Sequence, residues 1–315
     1  SLEDWTLYNG LVSYVLMGTV MGGEYLVRVF VKSKIRDRVL INLSSSKDFA
    51  STFNSALSAG KEIVLLPNNQ AGTLTEYKHY YDEVIEVVSG HENEKTELNL
   101  NSSITMFTSG SQGEPQKITK NLKCLISECE ELEKNFIQFV SQTKVISTVS
   151  HQHIYGLLFR ILWPFLYKRD ISDKNILYPE QLFKELEKEQ DYTLISSPAF
   201  LKRIQGEDFV DTNKKRLKTI FSSGGQLDYN IAKKVYDIFG IWPIEIYGST
   251  ETGGIAYRTQ ENENQVWTLF SNVVGVCDER GCLKITSPFA VEKDFSTNDQ
   301  VTFTDSKHFI LNGRI

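Results

Sequence analysis

Short apolar runs alternate with stretches of helical spacing along most of this chain, and that alternation narrows the fold more than any other feature. Residues 39–43 and 63–66 are apolar runs, and 48–59 between them has the spacing of a helix that Gly60 would end. That is a strand–helix–strand unit, which implies a parallel pair. The runs 104–107, 144–149, 193–195, 219–221 and 243–247 read as further strands. The stretches 179–189 and 229–239 read as helices, with Asp228 as cap and Gly240 as stop for the second. Leu122, Leu125, Ile126, Cys129, Leu132, Phe136, Phe139 and Val140 recur at three and four and mark the clearest amphipathic helix. From Gln265 the pattern changes to strand-like pieces at 265–269, 272–277, 282–287, 300–304 and 308–311, separated by turns. The expected class is therefore α/β, with two packed sheet-and-helix lobes of largely parallel strands and a smaller antiparallel β lobe near the C-terminus. Approximate lobe bounds are 1–170, 171–264 and 265–315.

The bulk properties exclude several classes of function. The 315 residues carry a formal charge of −6 with no basic stripe, which argues against nucleic-acid binding. Lys214-Lys215-Arg216 reads as a solvated face. No apolar run reaches the ~18 residues of a membrane span, and 157–167 is read as a buried helix interrupted by Arg160 and Pro164. No secretory pattern is present at the N-terminus, so a cytoplasmic location is expected. The four cysteines lack metal or redox spacing. Cys277 and Cys282 flank a hairpin-like turn and would face each other across it. Free thiols are the expectation for all four. His151 and His153 lack the further ligands a zinc site needs.

Three loops leave the carboxyl ends of strands with polar, glycine-rich sequences, at 108–117, 222–227 and 247–254. In α/β folds, ligands bind at those ends. The first loop offers three hydroxyls, at Thr108, Ser109 and Ser111, with Gly110 and Gly113 between and Lys117 beyond. Such a turn can present backbone N–H groups and hydroxyls to phosphate oxygens. It is not a Walker loop, because the spacing G-x-x-x-x-G-K-[ST] fails. The third loop places Tyr247, Ser249, Thr250 and Glu251 together. A carboxylate beside phosphate-binding hydroxyls calls for a cation between the charges, and Mg²⁺ held by Glu251 answers that.

These loops resemble the signatures of a known family. Thr108-Ser109-Gly110-Ser111-Gln112-Gly113-Glu114-Pro115 resembles the phosphate loop of the acyl-adenylate-forming enzymes. That group takes in acyl- and aryl-CoA synthetases, luciferases and the adenylation domains of peptide synthetases. Tyr247-Gly248-Ser249-Thr250-Glu251 is similar to the family's second signature. Ser223-Gly224-Gly225, followed by Gln226, stands where the family keeps its adenine-contacting loop. His153-Ile154-Tyr155-Gly156-Leu157 resembles the aromatic/His motif at the acyl pocket. Thr297-Asn298-Asp299 resembles Thr-Gly-Asp, whose Asp holds the ribose hydroxyls, and Gly313-Arg314 resembles the start of the hinge motif. The six signatures keep the family's order from 108 to 314. A narrower resemblance is to synthetase-like proteins of aryl polyene-type clusters. Two positions depart from the pattern: Gln112 replaces Thr, and Gln116 stands where Lys is usual, with Lys117 one place later.

The resemblance implies ATP-dependent activation of a small carboxylic acid to an acyl-AMP. Transfer to the thiol of CoA, or of a phosphopantetheine arm on an acyl carrier protein, would follow. It implies Thr108, Ser109, Ser111 and Lys117 on phosphate, and Thr250 on the α-phosphate. Glu251 would hold Mg²⁺, and His153 would wall the acyl pocket. Tyr247, Gly224 and Gly225 would frame adenine, while Asp299 and Arg314 would hold the ribose. It also implies a small C-terminal lid domain after the hinge at 313–315, which this chain does not include, so weak activity is expected of the chain alone. Peptide-synthetase adenylation domains use an Asp shortly after the His motif to hold an amino group, and 154–168 contains no acid. An ammonium buried there would be costly. The expected substrate is therefore an aryl or medium-chain acid, not an amino acid. The alternative is a nucleotide-binding protein of the same fold without turnover.

Overall fold

The computed structural model describes residues 4–8, 11–20, 23–30, 38–86, 99–109, 115–205, 214–263 and 265–315. The chain forms two compact units, Ser1–Lys123 and Cys124–Ile315.

The first unit begins with β1 (Asp4–Tyr8), β2 (Leu11–Val20) and β3 (Gly23–Phe30), an antiparallel sheet. Its second sheet contains β4 (Arg38–Ile41), β5 (Glu62–Val64), β6 (Glu83–Ile85), β7 (Ser103–Ser109) and β8 (Pro115–Asn121), in the order β6-β4-β5-β7-β8. The first four are parallel and β8 returns antiparallel to β7. Val39, Leu40 and Ile41 are fully buried, as an unbroken apolar run in a parallel strand requires. Helix α1 (Ser46–Ser58) joins β4 to β5. It starts two residues before the expected Asp48, because the Ser45 hydroxyl caps it by accepting from the Asp48 amide at 3.1 Å. Gly60, at φ +75°, ends the turn as the sequence anticipates. A short helix, α2 (Ala71–Glu76), precedes β6.

The second unit is built on α3 (Leu122–Val140), most of which it contains, and on one ten-stranded sheet. Four parallel strands come first: β9 (Lys144–Ser147), β10 (Tyr192–Ser196), β11 (Leu217–Ser222) and β12 (Ile244–Ser249). The sheet then turns antiparallel through β13 (Gly253–Arg258), β14 (Val266–Leu269), β15 (Val274–Cys277), β16 (Cys282–Thr286), β17 (Asp294–Phe303) and β18 (His308–Arg314). The full order is β15-β16-β17-β18-β14-β13-β12-β11-β10-β9. The strands expected after residue 265 are present and antiparallel, and they hydrogen-bond onto the parallel strands through the β12–β13 hairpin. Cys277 pairs in register with Leu283 rather than with Cys282. Cys277 is exposed and Cys282 buried, and with Cys277 opposite Leu283 the two thiols point to opposite faces of the sheet and form no disulfide.

Between β9 and β10 lie α4 (Ile154–Gly156), a π-helical stretch over Leu157–Leu162, α5 (Trp163–Leu166) and α6 (Pro179–Leu186). The whole π-helical stretch is buried, including Arg160. The Arg160 guanidinium donates to Asn175 Oδ1, Asp173 O and Val149 O, which lets a cation sit inside. Helix α7 (Pro198–Arg203) follows β10, and α8 (Tyr229–Phe239) links β11 to β12. Asp228 caps α8 by accepting from the Asn230 amide, and Gly240 closes it at φ +74°. A core of Ile146, Leu182, Leu194, Leu201, Ile220 and Val235 joins these helices to the sheet. No helix among the described residues is long and apolar enough to cross a membrane.

Candidate active site

The four parallel strands β9 to β12 are neighbours, so the segments leaving their carboxyl ends lie along one edge of the sheet. These are 148–153 after β9, Ser197 after β10, 223–227 after β11 and 250–252 after β12. Hydrogen bonds tie adjacent segments. Thr148 Oγ1 lies 3.1 Å from Ser196 Oγ, the Ser223 amide donates to Ser196 O at 3.4 Å, and Ser223 Oγ donates to Ile246 O at 2.8 Å. The two second-unit loops singled out in the sequence thus converge.

In the 223–227 loop, Gly224 has φ +81° and open space where a side chain would point. Gly224, Gly225 and Gln226 are exposed, forming a small bare ledge. Leu227 fixes the far end of the ledge. Its amide donates to Glu245 Oε2 at 3.3 Å, and its carbonyl accepts from Gln260 Nε2 at 2.8 Å. Glu245 is buried and also accepts from Arg258 Nε at 2.8 Å, Arg258 Nη2 at 3.2 Å and Gln260 Nε2 at 2.7 Å. Arg258 in turn stacks on Trp267, 4.4 Å from the ring centroid.

Tyr247 lies two residues along β12 from Glu245 and packs against Trp267 at 5.4 Å between centroids. Its hydroxyl donates to Asp299 Oδ2 at 2.7 Å, and Arg314 Nε meets Asp299 Oδ1 at 3.1 Å. Strand pairing enforces the second contact, because Asp299 on β17 is in register with Arg314 on β18. Burial, and then the Asp299 carboxylate, push the Tyr247 phenol pKa far above its ordinary value. Thr297 Oγ1 holds the Asp299 amide at 3.1 Å, which sets the carboxylate's place on the strand.

The hairpin between β12 and β13 carries Thr250 and Glu251. Its two sides approach so closely that a Cβ on Gly248 would lie 2.0 Å from Gly253 O. Ser249 and Thr252 lock the turn, the Ser249 amide donating to Thr252 Oγ1 at 2.9 Å and the Thr252 amide to Ser249 Oγ at 3.2 Å. The Val291 amide donates to Glu251 O at 2.8 Å. The Thr250 hydroxyl and the Glu251 carboxylate make no hydrogen bond or ion pair among the described residues. That leaves both available to a ligand. One hard carboxylate beside a hydroxyl suits Mg²⁺ shared with phosphate oxygens. The described residues hold no cluster of three or more metal-ligating side chains.

His153 precedes α4 and its side chain has an exposed face. Desolvation on its other side lowers its pKa below the ordinary imidazole value. Gly156 is required three residues on, since a Cβ there would meet Ser150 O at 2.0 Å.

In the first unit, residues 108 and 109 end β7 and residues 115–117 begin β8, which pairs with it antiparallel. Thr108 pairs with Gln116, and Phe107 with Lys117. Ser109 ends β7, and Gly110, Ser111, Gln112 and Gly113 lie outside the described residues. Lys117 is exposed, with its ammonium 5.8 Å from the centroid of the Tyr80 ring.

Sequence reasoning missed Glu128, Glu245, Arg258, Gln260 and Trp267. A signal for Glu128 exists in the sequence, because it falls on the apolar stripe of α3 between Leu125 and Leu132. The partners of Glu245 are separated from it by up to 18 residues in either direction and carry no motif.

The family described as AMP-binding enzyme matches residues 31–281. The chain belongs to the AMP-binding enzyme family. It is 25% identical over 177 residues to a 4-coumarate–CoA ligase of Cereibacter sphaeroides, a match covering 50% of this chain and 38% of the ligase. Among solved structures, the ATP-bound RpMatB-BxBclM chimera B3 superposes with a TM-score of 0.74 at 14% identity, over 90% of this chain and 69% of that one. A benzoate CoA ligase from Burkholderia xenovorans LB400 gives a TM-score of 0.72 at 13% identity, over 89% and 70%. These two likenesses establish the fold of the AMP-binding family for this chain.

Proposed function

We propose that this protein activates a carboxylic acid with ATP, forming an acyl-AMP and releasing pyrophosphate. The observation that carries the reading is the Tyr247–Asp299–Arg314 cluster, whose Tyr247 lies three residues before a Thr250–Glu251 turn with no side-chain hydrogen bond or ion pair among the described residues. A carboxylate with a fixed orientation recognises a ribose diol by accepting from both hydroxyls. The exposed Gly224-Gly225 ledge and the Tyr247 ring offer a flat, close surface to a purine. The Thr250 hydroxyl donates to the α-phosphate, and Glu251 takes the metal side of the triphosphate. When bound, Mg²⁺ would neutralise charge on the leaving pyrophosphate. The resemblance of the 108–115 segment to the family's phosphate loop supports giving Thr108, Ser109, Ser111 and Lys117 to phosphate. The acid's carboxylate oxygen attacks the α-phosphorus, and the bond to pyrophosphate breaks. Rate comes from positioning and charge neutralisation rather than from a covalent enzyme intermediate.

The acyl group is then passed to a thiol, of CoA or of a carrier protein's phosphopantetheine. For the acid, the reading is an aryl or medium-chain acyl substrate. Support comes from the absence of an acid between 154 and 168 and from the buried apolar stretch Leu157–Leu162. His153, neutral at pH 7 by its lowered pKa, serves as a pocket wall near the reacting carboxyl. The test is ATP–pyrophosphate exchange with a panel of aryl, aliphatic and amino acids. Exchange driven best by an amino acid overturns the substrate assignment. Nucleotide binding without exchange under any acid supports a binding protein of this fold instead.

A further inference from the structure

Helix α3 places a carboxylate directly behind the Thr250–Glu251 turn. Glu128 is 1% exposed, on the same helix face as Leu125 and Leu132. Its Oε1 accepts from the Gly254 amide at 2.6 Å. The two glycines that end the turn are shaped around this carboxylate. A Cβ on Gly253 would meet Glu128 Oε2 at 2.5 Å, and one on Gly254 would meet Oε1 at 3.1 Å and Ile246 Cγ2 at 3.0 Å. Gly253 has φ +70°, a conformation that glycine takes without strain. Backbone and carboxylate therefore approach more closely here than a side chain on Gly253 would allow.

A charged acceptor at an inner amide makes a strong hydrogen bond, and stronger where water is excluded. The turn is otherwise held on its near side, by Ser249 with Thr252 and by Val291 on the Glu251 carbonyl. Glu128 supplies the hold from behind.

We infer that Glu128 is a positioning residue, setting through Gly254 the place of Thr250 and Glu251 relative to the metal-bearing phosphates. This rests on the proposed ATP reading. Glu128→Gln keeps an oxygen able to accept from Gly254, whereas Glu128→Leu keeps the volume and removes the acceptor. A group that only stabilised the fold would lower the melting temperature and leave the nucleotide site's preference for metal unchanged. A group that positions the turn alters that preference.

The experiment is calorimetric binding of ATP with Mg²⁺ and with EDTA, together with pyrophosphate exchange, for the unmodified protein and both variants. In Glu128→Leu, the gain in affinity from Mg²⁺ is expected to fall at least about tenfold and kcat by a similar factor, since misplacement by ~1 Å can cost as much as 10²-fold. The affinity with EDTA should stay within about threefold, and Glu128→Gln should restore most of both losses. Equal metal dependence in all three proteins overturns the inference. An unmodified protein that binds no ATP overturns the ATP reading and this inference with it. Should Glu128→Leu not fold, hydrogen exchange on the unmodified protein decides. The Gly254 amide is expected among the slowly exchanging amides of the sheet, and exchange at the rate of an open loop contradicts the proposal.

Discussion

The Tyr247 hydroxyl donates to Asp299 Oδ2 at 2.7 Å across 52 residues of sequence. With Arg314 on the other oxygen, both sides of the Asp299 carboxylate are held. Tyr247→Phe keeps the ring and removes one donor. A hydrogen bond to a charged acceptor contributes about 1.5–3 kcal/mol, reduced here by partial exposure of Asp299. AMP affinity should fall about three- to tenfold. In a double-mutant cycle with Asp299→Asn the two losses should not add, showing coupling of at least ~0.5 kcal/mol. Calorimetry on the four proteins measures this.

The same contact gives an alkaline signature. The folded pKa of Tyr247 is raised, by burial first and by Asp299 second. The folded state therefore holds a proton that the unfolded chain loses above about pH 10. Its contribution to stability is complete below that pH and is lost as pH rises beyond it. Urea unfolding at pH 8 and pH 10.5 should show a smaller loss for Tyr247→Phe than for the unmodified protein.

Glu245 and Arg258 form a buried ion pair, with side chains 3% and 7% exposed. Removing one partner leaves the other charged and dry, which costs about 3–5 kcal/mol. Arg258→Met should lower the urea midpoint of the second unit accordingly, with the double variant Glu245→Gln/Arg258→Met recovering part of the loss. The double variant also weakens the hold on the Leu227 amide by taking the charge from its acceptor, so its affinity for AMP should stay below that of the unmodified protein.

The glycines predict an ordered series. Gly248→Ala drives a methyl to 2.0 Å from Gly253 O and should abolish nucleotide binding and destabilise the unit by several kcal/mol, on the order of the largest single-residue effects. At Gly224 nothing lies within 4 Å, so alanine there meets only the strain of φ +81°, about 1 kcal/mol. Thermal melting of the two variants tests the order.

Much of the architecture was legible because local chemistry and final position agree. The apolar run of β4 is buried on both sides, and Asp228 and Gly240 bound α8 where their types demand. The places of the Thr250–Glu251 turn and the Gly224–Gly225 ledge at the carboxyl ends of β12 and β11 were readable from the alternation of apolar runs with polar, glycine-rich loops. What was not legible depends on partners far apart in sequence. Glu128 reads as a stray polar residue on an apolar stripe until the Gly254 amide is placed against it, 126 residues away. Glu245 reads as one charge in a strand until Arg258, Gln260 and the Leu227 backbone surround it. The cysteines illustrate the opposite error. Proximity in sequence suggested that Cys277 and Cys282 face each other, whereas the strand register sends one inward and the other outward.

The most direct test of the central claim is binding of AMP and MgATP by calorimetry to the unmodified protein, Asp299→Asn and Glu251→Gln. The unmodified protein is expected to bind both nucleotides. Asp299→Asn should weaken both by at least about tenfold, as loss of a charged hydrogen-bonding group implies. Glu251→Gln should weaken MgATP while leaving metal-free AMP within about threefold, since only the metal-bearing phosphates need its charge. Absence of nucleotide binding, or affinities that neither substitution changes, would contradict it.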